Sequence, residues 1–143
     1  MAESFLLDTS AFITLTDKET GFERVQNLLK AARRGELALH ASFVTLTEVR
    51  YILTHDRGAQ QAARISDAIR KFPVAWHHSD DALCIEAAKL KAAHKISFAD
   101  AFVAATALRL NATLVHKDPE FDALQGVIKL HPLPPKTGAG TPP

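Results

Sequence analysis

The sequence predicts an α/β fold, a mostly parallel central sheet with helices covering both faces. Short apolar runs of strand length recur along the chain, and helical patterns separate them. One of those helical patterns is apolar almost all round, as expected of a helix packed inside a layered domain. With 143 residues, 47% of them apolar and 23% charged, the chain can bury one good core.

The first strand pattern is SFLLD, residues 4–8. Residues 22–34 then place Phe22, Val25, Leu28, Leu29 and Ala32 on one helical stripe that ends at Gly35. LALHA (37–41) is the second strand. Helices at 45–55 and 59–72 follow, broken at Asp56-Arg57-Gly58. VAWH (74–77) is the third strand, and the helix at 79–93 opens with Ser79-Asp80-Asp81, acids that suit a helix N-terminus. SFADAFVAATALRL (97–110) is the apolar helix, interrupted only by Ser97, Asp100, Thr106 and Arg109 and closed by Asn111. TLVHK (113–117) and VIKL (127–130) are the last strands. The domain is thus expected over residues 1–130. The Pro- and Gly-dense HPLPPKTGAGTPP (131–143) is expected to be a disordered tail. No internal repeat is present.

Several classes are disfavoured. The formal charge is +1, so the overall field neither requires nor forbids a nucleic-acid partner. A single cysteine, Cys84, rules out a disulfide framework and reads as helix packing. No secretory leader pattern opens the chain and no apolar run reaches 18 residues, so a cytoplasmic protein without a membrane span is expected. Neither G-x-G-x-x-G nor a P-loop occurs, which argues against a nucleotide cofactor.

The chemistry lies in four acids. In parallel α/β topology, strand C-termini and the N-termini of the following helices share one edge of the sheet, where ligand sites form. Asp8 ends the first strand and Glu48 lies in the first turn of the helix after the second. Asp100 lies in the first turn of the apolar helix, and Asp118 ends the strand that follows it. Fourteen helical residues descend about 21 Å and a short strand climbs back roughly 13–20 Å, so Asp100 and Asp118 should finish at similar heights. Each acid also has a local explanation. Asp8 before Thr9-Ser10 can cap a helix, TLTE (45–48) and SFAD (97–100) look like capping boxes, and Asp118 before Pro119 can cap PEFDAL. Taken together, the local explanations weaken, because Asp8 and Asp100 are embedded in apolar sequence. Converging carboxylates would repel one another and hold protons unless a cation lay among them. Oxygen donors without cysteine favour Mg²⁺ or Mn²⁺ over Zn²⁺.

At these residues the chain resembles a known family. LLDTSAFI, SFVTLTEVRYIL, KISFADAFVAATA and LVHKDPEFDAL, in this order and spacing, resemble PIN-domain ribonucleases, most of all VapC-type toxins of toxin–antitoxin pairs. The resemblance spans residues 4 to about 130. It implies a three-layer α/β/α fold and a Mg²⁺- or Mn²⁺-dependent endoribonuclease. Asp8, Glu48, Asp100 and Asp118 would form its acidic cluster, supported by Ser10. It also implies a homodimer inhibited by a cognate antitoxin. One departure stands out: the family commonly carries Thr-x-Asp where this chain has His116-Lys117-Asp118, which puts the role of Asp118 in question and makes Glu120 a candidate supplement.

Residue by residue, Asp8 and Asp100 are expected to hold the ion, with Glu48 and Asp118 acting directly or through water. Arg50, Arg57, Lys91, Lys95 and Lys117 are candidates for holding the RNA backbone, each also readable as a solvated surface cation. His77, His78 and His116 could act as bases or be structural. Trp76 could stack a base or pack in the core. The stripe of Tyr51, Ile52, Leu53, Ile65 and Ile69 could be core or dimer surface. Two rival readings are a phosphoacceptor or phosphatase-like α/β domain and a non-catalytic binding module whose acids only cap helices. The first lacks the paired acid after strand one, where the chain reads Asp8-Thr9-Ser10.

Overall fold

The computed structural model describes residues 2–135. Five strands form one parallel sheet: β1 (Ser4–Leu7), β2 (Ala38–Ser42), β3 (Ala75–His77), β4 (Thr113–His116) and β5 (Leu130–Pro132), in the order β3-β2-β1-β4-β5. Each of the first three crossovers carries two helices: α1 (Thr9–Thr16) and α2 (Phe22–Arg33), α3 (Phe43–Arg57) and α4 (Ala59–Arg70), α5 (Asp81–Ala93) and α6 (Phe98–Leu110). A short 3-10 helix, Pro119–Leu124, joins β4 to β5.

Alternation along the central strands sorts side chains into two cores. Leu6 and Leu114 face α5 and α6, packing with Leu83, Leu90, Val103 and Phe121. Phe5, Leu7, Leu39 and Val115 face the other way, against Phe12, Val25, Val49, Leu53 and Ile69. Helices, sheet and helices thus form the three layers expected, because a parallel sheet must be covered on both faces.

The structure departs from the sequence reading in four places. Ser42 accepts a hydrogen bond from Val44 N and caps α3, so Glu48 stands in the second turn and TLTE is not a capping box. The last strand is Leu130–Pro132 rather than 127–130, and Leu133 beyond it is 4% exposed. The start of the expected tail therefore belongs to the fold. An edge strand tolerates Pro132 because its outer side needs no ladder donor. Residues 136–143 of that tail lie outside the described residues. Cys84 is exposed, since the buried stripe of α5 is Leu83, Ala87 and Leu90 and Cys84 falls one step off it. Helix α1 had only a cap signal in the sequence.

Candidate active site

The carboxyl ends of β1 and β4 meet at the centre of the sheet. The chain leaves β1 toward β2 on one side, while β4 enters on the other, so the site lies at a topological switch point. A pocket of about 390 Å³ opens there, lined by Asp8, Ser10, Glu48, Asp100 and Asp118 together with Thr9, Glu19 and Lys117.

Asp8 is delivered by the ladder itself: its N–H donates to Val115 O at 3.0 Å. Its Oδ2 then accepts from Ser10 N at 3.1 Å and from Ser10 Oγ at 2.6 Å, capping α1. Ser10 Oγ in turn accepts from Lys117 N at 2.9 Å, which ties the end of β1 to the end of β4. Burial pushes the Asp8 carboxyl up to about 6, against the two Ser10 hydrogen bonds, and Glu48 adds repulsion. Glu48 is held on the far wall, accepting from Thr9 Oγ1 at 2.7 Å; that hydroxyl also lies 3.0 Å from Thr45 Oγ1.

Asp100 stands in the first turn of α6, capped by Ser97 Oγ, which accepts from Asp100 N at 3.1 Å. The SFAD cap reading therefore holds for Ser97, but it does not account for the Asp100 carboxylate. That carboxylate is 7% exposed, and its pKa is pushed up to about 8, first by burial and then by Asp8, Asp118 and Glu120. Asp118 Oδ1 accepts from Glu120 N at 2.9 Å, capping the 3-10 helix, and the Glu120 carboxylate accepts from Ser97 N. One oxygen each of Asp100, Asp118 and Glu120 lies within 4.8 Å of the others, the one such group of metal-ligand type among the described residues. Glu120 joins Asp100 and Asp118 in this compact group, while Asp8 is the first of the acids that raise the Asp100 carboxyl. An all-oxygen set this compact, with its buried member driven to hold a proton, suits a hard divalent cation.

The other sequence candidates separate clearly. Lys117 is largely buried, donating to Thr20 O at 2.7 Å and Glu19 Oε1 at 3.3 Å, so it braces the pocket wall. Glu19 was not anticipated, because its partner lies 98 residues away and no local pattern marks it. Arg57 pairs with Asp17, and Lys91 donates to Ile96 O at 2.6 Å. Trp76 stacks on Phe12 with centroids 5.5 Å apart and carries the Arg70 guanidinium over its ring, so it is a packing residue. His77 shares a 2.8 Å ring-nitrogen contact with His40 and does not line the acid pocket. His116 is 2% exposed, edge-on to Phe121, with neither ring nitrogen hydrogen-bonded among the described residues. Burial lowers its pKa, against the neighbouring Asp118 and Asp122, which raise it. Of the apolar stripe, Leu53 and Ile69 are core, whereas Tyr51 is 57% exposed.

Comparison with known proteins agrees with this layout. Over 92% of its length the chain superimposes on 99% of a chain in the crystal structure of VapBC2 from Rickettsia felis bound to a promoter DNA fragment, with a TM-score of 0.74 and 18% identity. It also matches VapC20 from Mycobacterium tuberculosis, described as a sarcin-ricin loop cleaving toxin (TM-score 0.66, 19% identity, 83% of this chain and 93% of that one). A third match is VapBC-5 from the same organism, a member of the VapBC family of toxin–antitoxin systems (0.63, 18%, 91% and 97%). At these identities the likeness is one of fold. No match is found among curated protein sequences. The family model described as PIN domain matches residues 5–127, nearly the whole folded chain, and the chain accordingly belongs to the PIN domain family.

Proposed function

We propose that the chain is a divalent-metal-dependent endoribonuclease of VapC type, a toxin held inactive by a cognate antitoxin. The observation that carries this reading is the carboxylate pocket at the switch point, in which Asp100 and Asp8 are both pushed up, to about 8 and about 6. Acids that only cap helices would sit on a wet rim with ordinary or lowered pKa values. The VapBC complexes among the structural neighbours support an antitoxin partner for this chain. VapC20, described as cleaving the sarcin-ricin loop, supports RNA as the substrate.

In this reading Asp100, Asp118 and Glu120 would hold Mg²⁺ or Mn²⁺ directly, with Asp8, the nearest-acting of the other acids on Asp100, and Glu48 beside them. The bound cation would supply positive charge to the scissile phosphate and acidify the attacking water. Ser10 fixes the Asp8 carboxylate through its Oδ2, and Asp8, which lines the pocket, would orient that water and accept its proton. Thr9 fixes Glu48 in the same way. Lys117 and Glu19 keep the floor of the pocket in register with α1. The protein would work in the cytoplasm as a homodimer.

The test is incubation of total RNA with purified protein and Mn²⁺ or Mg²⁺, beside an EDTA control and the Asp8→Asn and Asp100→Asn variants, with new ends mapped by sequencing. Discrete, EDTA-sensitive cuts lost in both variants are expected. Wild-type protein that leaves RNA intact in both metals, or variants that cut at the wild-type rate, would refute the reading.

A further inference from the structure

Among the described residues, the lining of the acid pocket includes one basic side chain, Lys117. Asp8, Asp100 and Asp118 line the same space, and an ammonium on a flexible four-carbon stem is drawn to such carboxylates. Lys117 is turned elsewhere. Its Nζ donates to Glu19 Oε1 at 3.3 Å and to Thr20 O at 2.7 Å, both in the turn that joins α1 to α2. The ion pair is largely covered, with side-chain exposures of 11% and 13%. Burial strips water from both charges, and apolar side chains of similar volume often hold a fold equally well. Stability alone therefore gives no reason for a charged pair at this place.

The turn is shaped to present Glu19. Glu19 N donates to Thr14 O at 2.9 Å, and the buried Thr14 hydroxyl donates to Glu19 Oε1 at 3.4 Å. Lys18, just before it, has a φ of 51°, a left-handed conformation that is unfavourable for a residue with a Cβ. Glu19 is thus anchored to α1 by main chain and side chain, and its carboxylate meets the ammonium of a residue 98 positions away. The acids register the same separation. Burial leads the influences that push Asp8 and Asp100 up, and no relief from Lys117 stands among the leading ones. The cation of the pocket is balanced by an acid of the wall, and the other acids keep their excess negative charge.

We infer that Glu19 is a positioning residue that tethers Lys117 to the pocket wall and so keeps the acid set open to a divalent cation. Released from Glu19, the ammonium would swing onto the carboxylates and compete with the ion as a counter-charge built into the chain. The inference rests on the metal-dependent reading above and adds to it what stops the chain's own lysine from filling the site.

Calorimetric titration of the full-length protein with Mn²⁺, in the absence of RNA, tests the tether. Glu19→Gln keeps the size and hydrogen-bonding capacity of the side chain and removes its charge, so Mn²⁺ affinity should fall by about tenfold. Adding Lys117→Met to that variant removes the competing ammonium and should restore the affinity. Lys117→Met alone should bind Mn²⁺ at least as tightly as wild type, because the pocket then holds one more unbalanced acid. A pair that merely braces α1 predicts the reverse order, with every variant weaker than wild type and the double variant weakest. Circular dichroism and thermal unfolding of each variant report whether the fold is retained. Glu19→Gln with wild-type affinity, or a double variant no better than Glu19→Gln, would overturn the tether while leaving Mn²⁺ uptake by the wild type intact. Wild type that takes up no Mn²⁺ would overturn the metal reading itself, so the two fail separately.

Discussion

Asp80 and Asp100 both stand at the start of a helix, α5 and α6, and the two helices form one packed pair. Asp80 caps α5 through Leu83 N at 2.8 Å and is clamped by both terminal nitrogens of Arg109 at 2.8 and 2.9 Å. The Arg109 hydrogen bonds, foremost among the causes, hold its carboxyl down at about 2. Asp100 has no such partner among the described residues. It is buried among Asp8, Asp118 and Glu120, and its carboxyl is pushed up to about 8. In sequence the two look alike, an acid in the first residues of a helical pattern. The difference lies in who supplies the positive charge. For Asp80 the chain provides it from the far end of α6. For Asp100 the described residues supply none, and that separates the two helix-start acids.

The largest expected effect comes from removing the charge at Asp100. Asp100→Asn should lower RNA cleavage by at least about 100-fold, measured as initial rates at saturating Mn²⁺. The same change should stabilise the metal-free protein. The folded pKa lies above the unfolded one, so between about pH 4 and pH 8 the folded state keeps a proton that the unfolded chain has released, and stability falls as pH rises through that window. Asparagine removes that cost: urea denaturation should find the variant about 2 kcal/mol more stable than wild type at pH 8 and equal to it at pH 4. A variant less stable at pH 8 would contradict the comparison.

Next in size is Glu120→Gln. If Glu120 belongs to the inner set, calorimetry should show Mn²⁺ affinity reduced by about 10- to 100-fold, with the helical circular dichroism signal retained. An unchanged affinity would move the metal toward Asp8 and Glu48. A smaller effect is expected of Ser10→Ala. Asp8 loses the strongest of the bonds that hold its pKa down, so the acid limb of the pH–rate profile should move to higher pH, and stability should drop by about 1 kcal/mol. The smallest belongs to Asp80→Asn. Asparagine still caps α5, so cleavage and its pH profile should match wild type. Because the Asp80 pKa is lowered, its contribution to stability is present above about pH 4 and fades only as pH falls toward 2, the opposite side of the titration from Asp100.

The sheet and most helices were legible because their signals are local: apolar runs for β1 and β4, a continuous apolar surface for α6, Asn111 in a left-handed conformation where that helix closes. What failed was local in appearance and non-local in cause. TLTE has the letters of a capping box, but the turn from β2 is made earlier by Ser42. The Pro-rich segment after 130 looks unfit for a ladder, yet Pro132 pairs opposite His116 at an edge and Leu133 N donates to His116 O at 2.6 Å. In the site, Asp8, Glu48, Asp100 and Asp118 could be placed by topology alone, since strand ends and helix starts share one edge. The Glu19–Lys117 pair, the approach of Glu120 to Asp100 and the exposure of Phe98 depend on how distant segments pack, which no spacing within one segment encodes.

Thermal unfolding of the wild type across pH 5 to 8 tests most directly whether a divalent cation takes the place of the proton that balances the pocket's charge. In EDTA, Tm should fall as pH rises through this range, and excess Mg²⁺ or Mn²⁺ should abolish the fall by replacing the bound proton. A Tm that stays level in EDTA, or a slope that neither ion alters, would show that the acids have found their partners within the chain.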